Sequence, residues 1–403
     1  MRNEVIPVGR PSVLRHANAL NILKLLREAE SCSRADLVRA SGLSAPTVTN
    51  VVKDLIAEDL IAPLGEGESR GGRPPDMMRF KAERGCLLAV DIAVGSLRFL
   101  LTDLNGKLLE MQEVSLRGVE TTPDAICELI GEITRQLLKR RKKTRKHLLV
   151  VVAGVPAITN VAEGVVLSIS PFDGWRSVPL GAMLGKVFGC TVAVQNDTNL
   201  AALGERFCGG AKDTEDFVLI SVEKGVGAGI VINGRIHYGS QWSAGEIGYL
   251  RLPHLSRRRT TLYEFGELEE MLCSAGIVKS WQEEGGKPST AKSKKTLTAA
   301  DVLDMALEGE PRAMKIVQDR AGMLADVILN LSLILNPRQV LLSGTVGCHP
   351  ALLSAVKTQM EGSEFAVPEL GIGTLGETAV RWGGISAALD VLPSVLLRAP
   401  GNS

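Results

Sequence analysis

Over the first eighty positions the apolar residues recur every three or four; beyond them they bunch into short unbroken runs. Leu14, Ala17, Leu20, Ile22, Leu23, Leu25 and Leu26 make one helical stripe. Ser33 suits the cap of a second helix, with Asp36 three residues on as its capping-box partner. Leu37, Val38 and Ala40 would face the core, and Gly42 would end that helix. Ser44 caps a third helix, and Pro46 falls in its first turn, where a missing N–H costs nothing. Val48, Val51, Val52, Leu55 and Ile56 form its buried side, leaving Thr47, Thr49, Asn50 and Lys53 outward. Leu60–Ala62 and Met77–Phe80 read as two short strands around a Gly/Pro-rich loop. Three helices and a two-stranded wing predict a winged helix-turn-helix over residues 1–82.

Residues 86–403 have a different pattern. Cys86–Ile92 is a buried strand ending in an acid and an isoleucine, followed by Phe99–Leu104, the hairpin signal Asn105-Gly106, and a third strand at Val114–Leu116. An amphipathic helix over 123–141 leads to a buried strand at Leu148–Gly154. Strand, hairpin, strand, helix, strand is the opening of an actin-like ATPase fold, in which two α/β lobes clasp a ligand. The first lobe should cover about 86–195 with a C-terminal return, and the second about 196–380.

A chain of 403 residues with 45% apolar content is a folded protein of two or three domains. Net charge is +1, and residues 1–81 hold 12 Lys/Arg against 10 Asp/Glu, so any DNA affinity must come from how charges are arranged. Seven scattered cysteines without a CxxC pair suit reduced thiols. Neither a signal peptide nor an apolar run of membrane-spanning length is evident, so the expected location is the cytoplasm.

The third helix opens with small polar residues, which suits entry into a DNA major groove. Ser44, Thr47, Thr49 and Asn50 would stand near bases and Lys53 near a phosphate. Arg70-Gly71-Gly72-Arg73-Pro74 is a basic, flexible strip that fits a narrow minor groove, with Arg70 and Arg73 as its contacts. The alternatives are a protein-contact domain and a plain linker. The basic run Lys139–Lys146 reads as a solvated helix end, and Phe99, Phe172 and Phe188 as core.

Further on, Val192–Glu205 reads as strand, polar turn, helix. Asn196 and Asp197 then sit at the carboxyl end of a strand, where α/β sheets bind ligands. Local sequence leaves Asp197 open between a base toward a sugar hydroxyl and a cap for the following helix.

Nearly the whole chain resembles the ROK family, which groups bacterial sugar kinases with sugar-responsive repressors such as those for xylose and N-acetylglucosamine. Asn196-Asp197-Thr198-Asn199 through Glu205 is similar to its sugar-binding and catalytic motif, and Ser243–Tyr249 to its second signature. Pro171–Trp175 is similar to the segment bordering the sugar. The resemblance implies that Asn196, Asp197 and Glu246 hold sugar hydroxyls, with Asp197 at the kinase base position. It implies the same for Glu269, and Tyr249 stands where the family has a sugar-contacting His. Three phosphate-side motifs depart from the kinase pattern. Ala93 and Val94 replace glycines, Glu223-Lys224-Gly225 replaces a Gly-Thr-Gly start, and Ser343-Gly344 replaces a glycine pair. The family's zinc site lacks its ligands here: Tyr249 replaces the His, and the stretch from Pro253 to Glu269 holds no cysteine.

These readings predict a non-enzymatic repressor without cofactor or metal. It would bind a palindromic operator as a homodimer or dimer of dimers and release it when a sugar closes the cleft. Two DNA heads must lie about 34–36 Å apart to meet successive major grooves, so a small rotation can abolish binding. The alternatives are an active sugar kinase with an added DNA-binding domain and a scaffold for a sugar-transport protein.

Overall fold

The computed structural model describes residues 11–66, 75–168, 172, 174–253, 255, 261, 264–287, 296–363 and 367–397. Arg70, Arg73, Pro171, Asp173, His254 and Arg257–Arg259 lie outside them.

The N-terminal unit has helices α1 (Pro11–Glu28), α2 (Arg34–Ser41) and α3 (Ala45–Ala57) and a small sheet of β1 (Cys32–Ser33), β2 (Ile61–Glu66) and β3 (Asp76–Phe80), in the order β1-β3-β2. Its turns follow from the sequence. Ser33 and Asp36 form the reciprocal capping box, Gly42 takes the left-handed conformation at φ 67°, and Ser44 accepts from the Thr47 N–H. Strand β1 was not foreseen, because a two-residue strand carries no alternation to read. Four expected core positions are exposed. Leu14 is 66% exposed and Ala17 is also outside, since only the second half of α1 is buried against its neighbours; Ala40 lies on the outer side of α2. Ile56 is 40% exposed, one position past the buried Leu55.

The rest of the chain builds two sheets of identical topology. The first contains β4 (Cys86–Ala93), β5 (Ser96–Thr102), β6 (Leu108–Ser115), β7 (Leu148–Val155) and β11 (Thr191–Asn196), in the order β11-β7-β4-β5-β6. Helix α4 (Pro123–Arg140) connects β6 to β7. A side sheet of β8 (Ile158–Asn160), β9 (Val165–Ser168) and β10 (Arg176–Val178) precedes α5 (Leu180–Phe188). After β11 comes α6 (Asp197–Cys208). The second sheet, β14-β13-β12-β15-β16, uses β12 (Phe217–Val222), β13 (Val226–Ile232), β14 (Arg235–Ile236), β15 (Gln339–Ser343) and β16 (Glu369–Ile372). Between β14 and β15 run α7 (Glu267–Leu272), α8 (Ser274–Glu283), α9 (Ala299–Leu307) and α10 (Pro311–Leu335); α11 (Gly344–Gly347) and α12 (Pro350–Met360) separate β15 from β16, and α13 (Ala379–Leu396) closes the chain. In both sheets the first strand pairs antiparallel with the second and parallel with the fourth. The near-continuous apolar runs of β4, β7 and β12 follow from burial on both faces.

Strand β6 begins six residues before its expected start, because exposed apolar residues, Leu108 and Met111, blur the inside–outside alternation. The basic run after α4 is anchored rather than merely solvated. Arg140 and Arg141 pair with Glu110, Lys143 donates to the Glu83 carbonyl at 2.6 Å, and Arg145 to the Phe188 carbonyl at 2.5 Å. Phe99, Phe172 and Phe188 are buried.

The helices following the two sheets exchange places. Helix α6 leaves the first sheet and lies on β12 and β13, while α13 leaves the second and lies on β4, β5 and β7. Glycines Gly227 and Gly229 in β13 admit α6. A Cβ at Gly229 would stand 2.9 Å from the Thr198 carbonyl. One hydrophobic core joins the winged helix to the α13 face of the first sheet, with Ile22, Leu23, Leu26 and Leu55 beside Leu87, Leu100, Ile385 and Leu392. No helix of the described residues is long and apolar enough to cross a membrane.

Candidate functional site

Helix α3 presents its polar face as the sequence pattern requires. Ser44, Asn50 and Lys53 are exposed, and Thr47 and Thr49 are half-buried. The hydroxyls of Ser44 and Thr47 lie 2.8 Å apart and serve the helix start. That leaves Asn50 and Lys53 as the side chains freest to reach outward. Arg15 of α1 braces the back of α3 through Asp54 at 3.7 Å.

The second cluster lies where the lobes meet. Asn196 ends β11 and caps α6: its Oδ1 accepts from the Asn199 N–H at 3.0 Å and its Nδ2 donates to the Ala157 carbonyl at 3.2 Å. With the cap supplied by Asn196, Asp197 is spared that task and turns its carboxylate to the Thr198 N–H and hydroxyl, at 2.6 and 3.3 Å. Burial pushes the Asp197 carboxyl up to about 7, and the nearby charges of Asp91 and Glu246 add to the rise. Glu246 follows Gly245, whose φ of 92° lets the turn press against β13; a Cβ there would meet the Ala228 carbonyl at 1.9 Å. Burial, and then Glu269, raises the Glu246 carboxyl to about 7. Glu269, in the first turn of α7, accepts from the Val226 N–H at 3.0 Å, and burial is the main cause of its own raised pKa. A Cβ at Gly225 or Gly248 would come within 2.7–2.8 Å of Glu269, so the glycines of the loop and of the second signature make room for this carboxylate. Tyr249 lies within electrostatic reach of Glu269, Glu246 and Glu264, but its hydroxyl donates to the Glu264 carbonyl at 2.8 Å. Three acids that resist ionisation, with Glu246 within electrostatic reach of both Asp197 and Glu269, suit a ligand rich in hydroxyl donors.

On the phosphate side, β4 and β5 join through the two-residue turn Val94-Gly95, with Gly95 at φ 97°. The β12–β13 turn from the other lobe reaches this tip. Lys224 Nζ donates to the Val94 carbonyl at 2.8 Å. Beneath the turn, Arg98 pairs with Asp91 at 3.7 Å, Glu113 at 3.0 Å and Glu377 at 3.7 Å. Burial pushes Asp91 up to about 6, while Arg98 and Arg381 pull it back.

The sequence pattern marks Asp91 as the acid ending a buried strand but does not single out Arg98 and Arg381. Their signal is an ionic residue inside an apolar strand or helix, as in Ser-Leu-Arg-Phe-Leu-Leu and Ala-Val-Arg-Trp. Glu205, the last residue of the Asn196 motif, has a structural task. It is 1% exposed and accepts from Gly210, Thr374 and Leu375 N–H groups at 2.6, 3.1 and 2.9 Å. Phe172 and Trp175, from the expected sugar-bordering segment, pack in the first-lobe core with ring centroids 5.7 Å apart. Cys273 is buried, its Sγ 3.8 Å from the Glu270 carbonyl.

The model of the ROK family matches residues 87–369, and that of a winged helix-turn-helix DNA-binding domain matches residues 15–62. The xylose repressor of Bacillus subtilis (strain 168) is 24% identical over 394 residues, covering 95% of this chain and 97% of its own. A solved ROK family transcriptional regulator, a homologue of the E. coli MLC protein, superposes with a TM-score of 0.79 at 24% identity, over 95% of this chain and 98% of its own. The ROK hexokinase of Thermus thermophilus superposes with a TM-score of 0.63 at 22% identity, over 76% of this chain and 99% of its own.

Proposed function

Since the chain belongs to the ROK family, we propose that it is a transcriptional repressor controlled by a sugar. The observation that carries this reading is one continuous core joining a winged helix, with its polar α3 face exposed, to the α13 face of the unit that carries the buried carboxyls Asp197, Glu246 and Glu269. Asn196, Asp197, Glu246 and Glu269 take the hydroxyls of the sugar, with Tyr249 at the border. Ser44, Thr47, Thr49, Asn50 and Lys53 meet operator DNA, assisted by Arg70 and Arg73. A homodimer binds a palindromic site, and D-xylose is the first effector to try, given the name of the Bacillus subtilis relative. A ligand that moves the protein from mostly bound to mostly released must favour one state by roughly 5 kcal/mol.

The chain acts without phosphoryl transfer. The Lys224 bond to Val94 ties together the two hairpins that would have to cradle a nucleotide, and the Cβ atoms of Ala93 and Val94 restrict the backbone there. One observation favours the kinase alternative: Asp197, with a pKa near 7, has the basicity of a general base. The deciding experiment selects duplexes from random DNA with the full-length protein. Release by D-xylose, D-glucose or N-acetyl-D-glucosamine is then measured alongside phosphorylation of the same sugars with ATP. Sugar-dependent release without phosphorylation is the expected result; robust ATP-dependent turnover would replace this function with the kinase.

A further inference from the structure

The exchanged helices α6 and α13 cross backbone to backbone. A Cβ on Gly204 would overlap the Ala379 carbonyl, and one on Gly383 the Leu200 carbonyl. A second junction lies where the edges of the two sheets meet. Strand β11 is the edge of the first sheet and β14 of the second. The Tyr238 hydroxyl, two residues past β14, donates to Gln195 Oε1 of β11 at 3.0 Å. Gln195 is 7% exposed, and its neighbour Asn196 caps α6.

Tyr238 opens a loop whose two ends are pinned to one strand. The His237 N–H donates to the Ile230 carbonyl and the Ala228 N–H to the Gly245 carbonyl, both at 2.8 Å. Residues 238–244 therefore leave and rejoin the edge of β13 two positions apart. The Ala244 N–H closes the loop on the Tyr238 carbonyl at 3.3 Å. Compact loops with close ends are packed by their own side chains. Here Gly239, Ser240, Gln241 and Ser243 are exposed, while the half-buried Trp242 ring stands 6.0 Å from that of Tyr238. Trp242 takes φ 63°. A bulky residue in that region persists only where its surroundings impose it, and such positions gather at ligand sites. The loop delivers the chain to Gly245 and Glu246. On β13, Gly227 and Gly229 make room for Thr198, which holds the Asp197 carboxylate, and Gly245 presses on Ala228 between them. One braced loop thus spans from the strand end that carries Asn196 to the turn that carries Glu246.

We infer that Tyr238 and Trp242 are positioning residues for the sugar: the loop they brace sets the Glu246 carboxyl of the second lobe against Asn196 and Asp197 at the β11–α6 junction. The inference rests on the sugar site proposed above. Tyr238 acts through Gln195 and the loop, and Trp242 through Tyr238.

The test measures binding of D-xylose, D-glucose and N-acetyl-D-glucosamine to the full-length protein by titration calorimetry, and proceeds with whichever binds the wild type tightest. Tyr238→Phe, which keeps the ring and loses the bond to Gln195, should weaken that sugar about three- to tenfold. The same change in a Glu246→Gln background should cost less than about twofold, because the charged acceptor it would misplace is already gone. No loss in the first background, or equal losses in both, overturns the assignment. Trp242→Gly removes the ring yet adopts φ 63° freely, so it separates packing from backbone conformation. It should weaken the sugar, while Trp242→Phe stays within about twofold of wild type. Wild-type affinity in Trp242→Gly overturns the role of the ring. A further readout needs no sugar. Amide exchange at Ala228 and His237 should rise in Tyr238→Phe while exchange in α4 stays as in wild type, and unchanged exchange at both also overturns the brace. If none of the three sugars binds the wild type, the sugar site fails, and exchange still judges the loop on its own.

Discussion

Lowering the pH from 8 to 6 should weaken sugar binding, and the size of the loss follows from two carboxyls. Asp197 and Glu246 are both raised to about 7, so each is close to half-ionised at neutral pH. A sugar hydroxyl donates, and the form that accepts best is the carboxylate. From pH 8 to pH 6 the ionised fraction of such a group falls from about nine-tenths to about one-tenth, a tenfold loss of affinity or about 1.4 kcal/mol. Both groups sit in one charge cluster with Asp91 and Glu269, so they titrate as a set. The total should lie between about tenfold and about a hundredfold. Binding at pH 7 should release protons, about half a proton for each group fully ionised by the ligand. The stability of the sugar-free protein has the matching sign. A carboxyl with a folded pKa above its unfolded value keeps its proton longer in the folded state, so this cluster's contribution declines as pH rises from about 4 to about 7. Titration calorimetry with D-xylose in two buffers of different ionisation enthalpy reads the proton count, and repeating it from pH 6 to pH 8 reads the affinity. Glu246→Gln should flatten the pH profile, reduce proton release and weaken binding by about 1–3 kcal/mol, because hydroxyls lose their charged acceptor. Affinity that is constant from pH 6 to 8, or protons taken up on binding, would refute the reasoning.

Asn50→Ala should relax base preference at one or two operator positions, costing about 1–3 kcal/mol of discrimination, as binding to single-base operator variants would reveal. Lys53→Ala should weaken all duplexes alike and reduce the salt slope by roughly one unit, and Arg73→Ala should mainly lower preference for A·T-rich DNA. Elemental analysis of the purified protein should find no stoichiometric zinc, because Tyr249 and the cysteine-free stretch to Glu269 leave too few soft ligands. Gly383→Ala should lower the melting temperature sharply, since its methyl group would overlap the Leu200 carbonyl; overpacking of this kind costs about 1–3 kcal/mol or more.

Local rules carried the small domain and most of the first sheet. The capping box at Ser33 and Asp36, the left-handed Gly42 and the Asn105-Gly106 turn are set by residues within a few positions of one another. Errors arose where the determinant was remote. Leu14 and Ala40 have the right spacing for a core, but whether a neighbour covers them is decided by how far α1 and α2 overlap the rest. The candidate site divides in the same way. Asn196 and Asp197 announce themselves by lying at a strand end, whereas Glu246 and Glu269 enter through resemblance to the family. Arg98 meets Asp91 directly across the β4–β5 hairpin, whereas Arg381, nearly three hundred positions on, comes near Asp91 only because α13 crosses back onto the first sheet. The glycines after Glu223 have structural tasks of their own. Gly225 gives room to Glu269, while Gly227 and Gly229 let α6 settle on β13.

On the proposed reading, these residues also explain how a kinase scaffold becomes a sensor without losing its sugar site. A kinase needs carboxylates that orient the sugar and two hairpins free to take a nucleotide between them. The first requirement is served by Asp197, Glu246 and Glu269, which are held by Thr198, Gly245 and Val226, the last just past the tip that carries Lys224. The second is denied here by a lysine of the chain itself, with the Lys224 ammonium donating to Val94 across the gap. Because the Lys224 ammonium bonds to Val94 while the acids are held by other groups, losing nucleotide binding leaves the acids in place. Free energy from sugar binding is then not spent on a bound phosphate and remains available to turn the lobes about Gly204 and Gly383. Lys224→Ala should therefore leave sugar affinity within about threefold and shift the sugar-free population between lobe arrangements, which changes the extent of DNA binding before any sugar is added. Small-angle scattering and binding to the selected duplex, both without sugar, measure that shift, and a variant identical to wild type in both would show that the lysine does not hold the lobes.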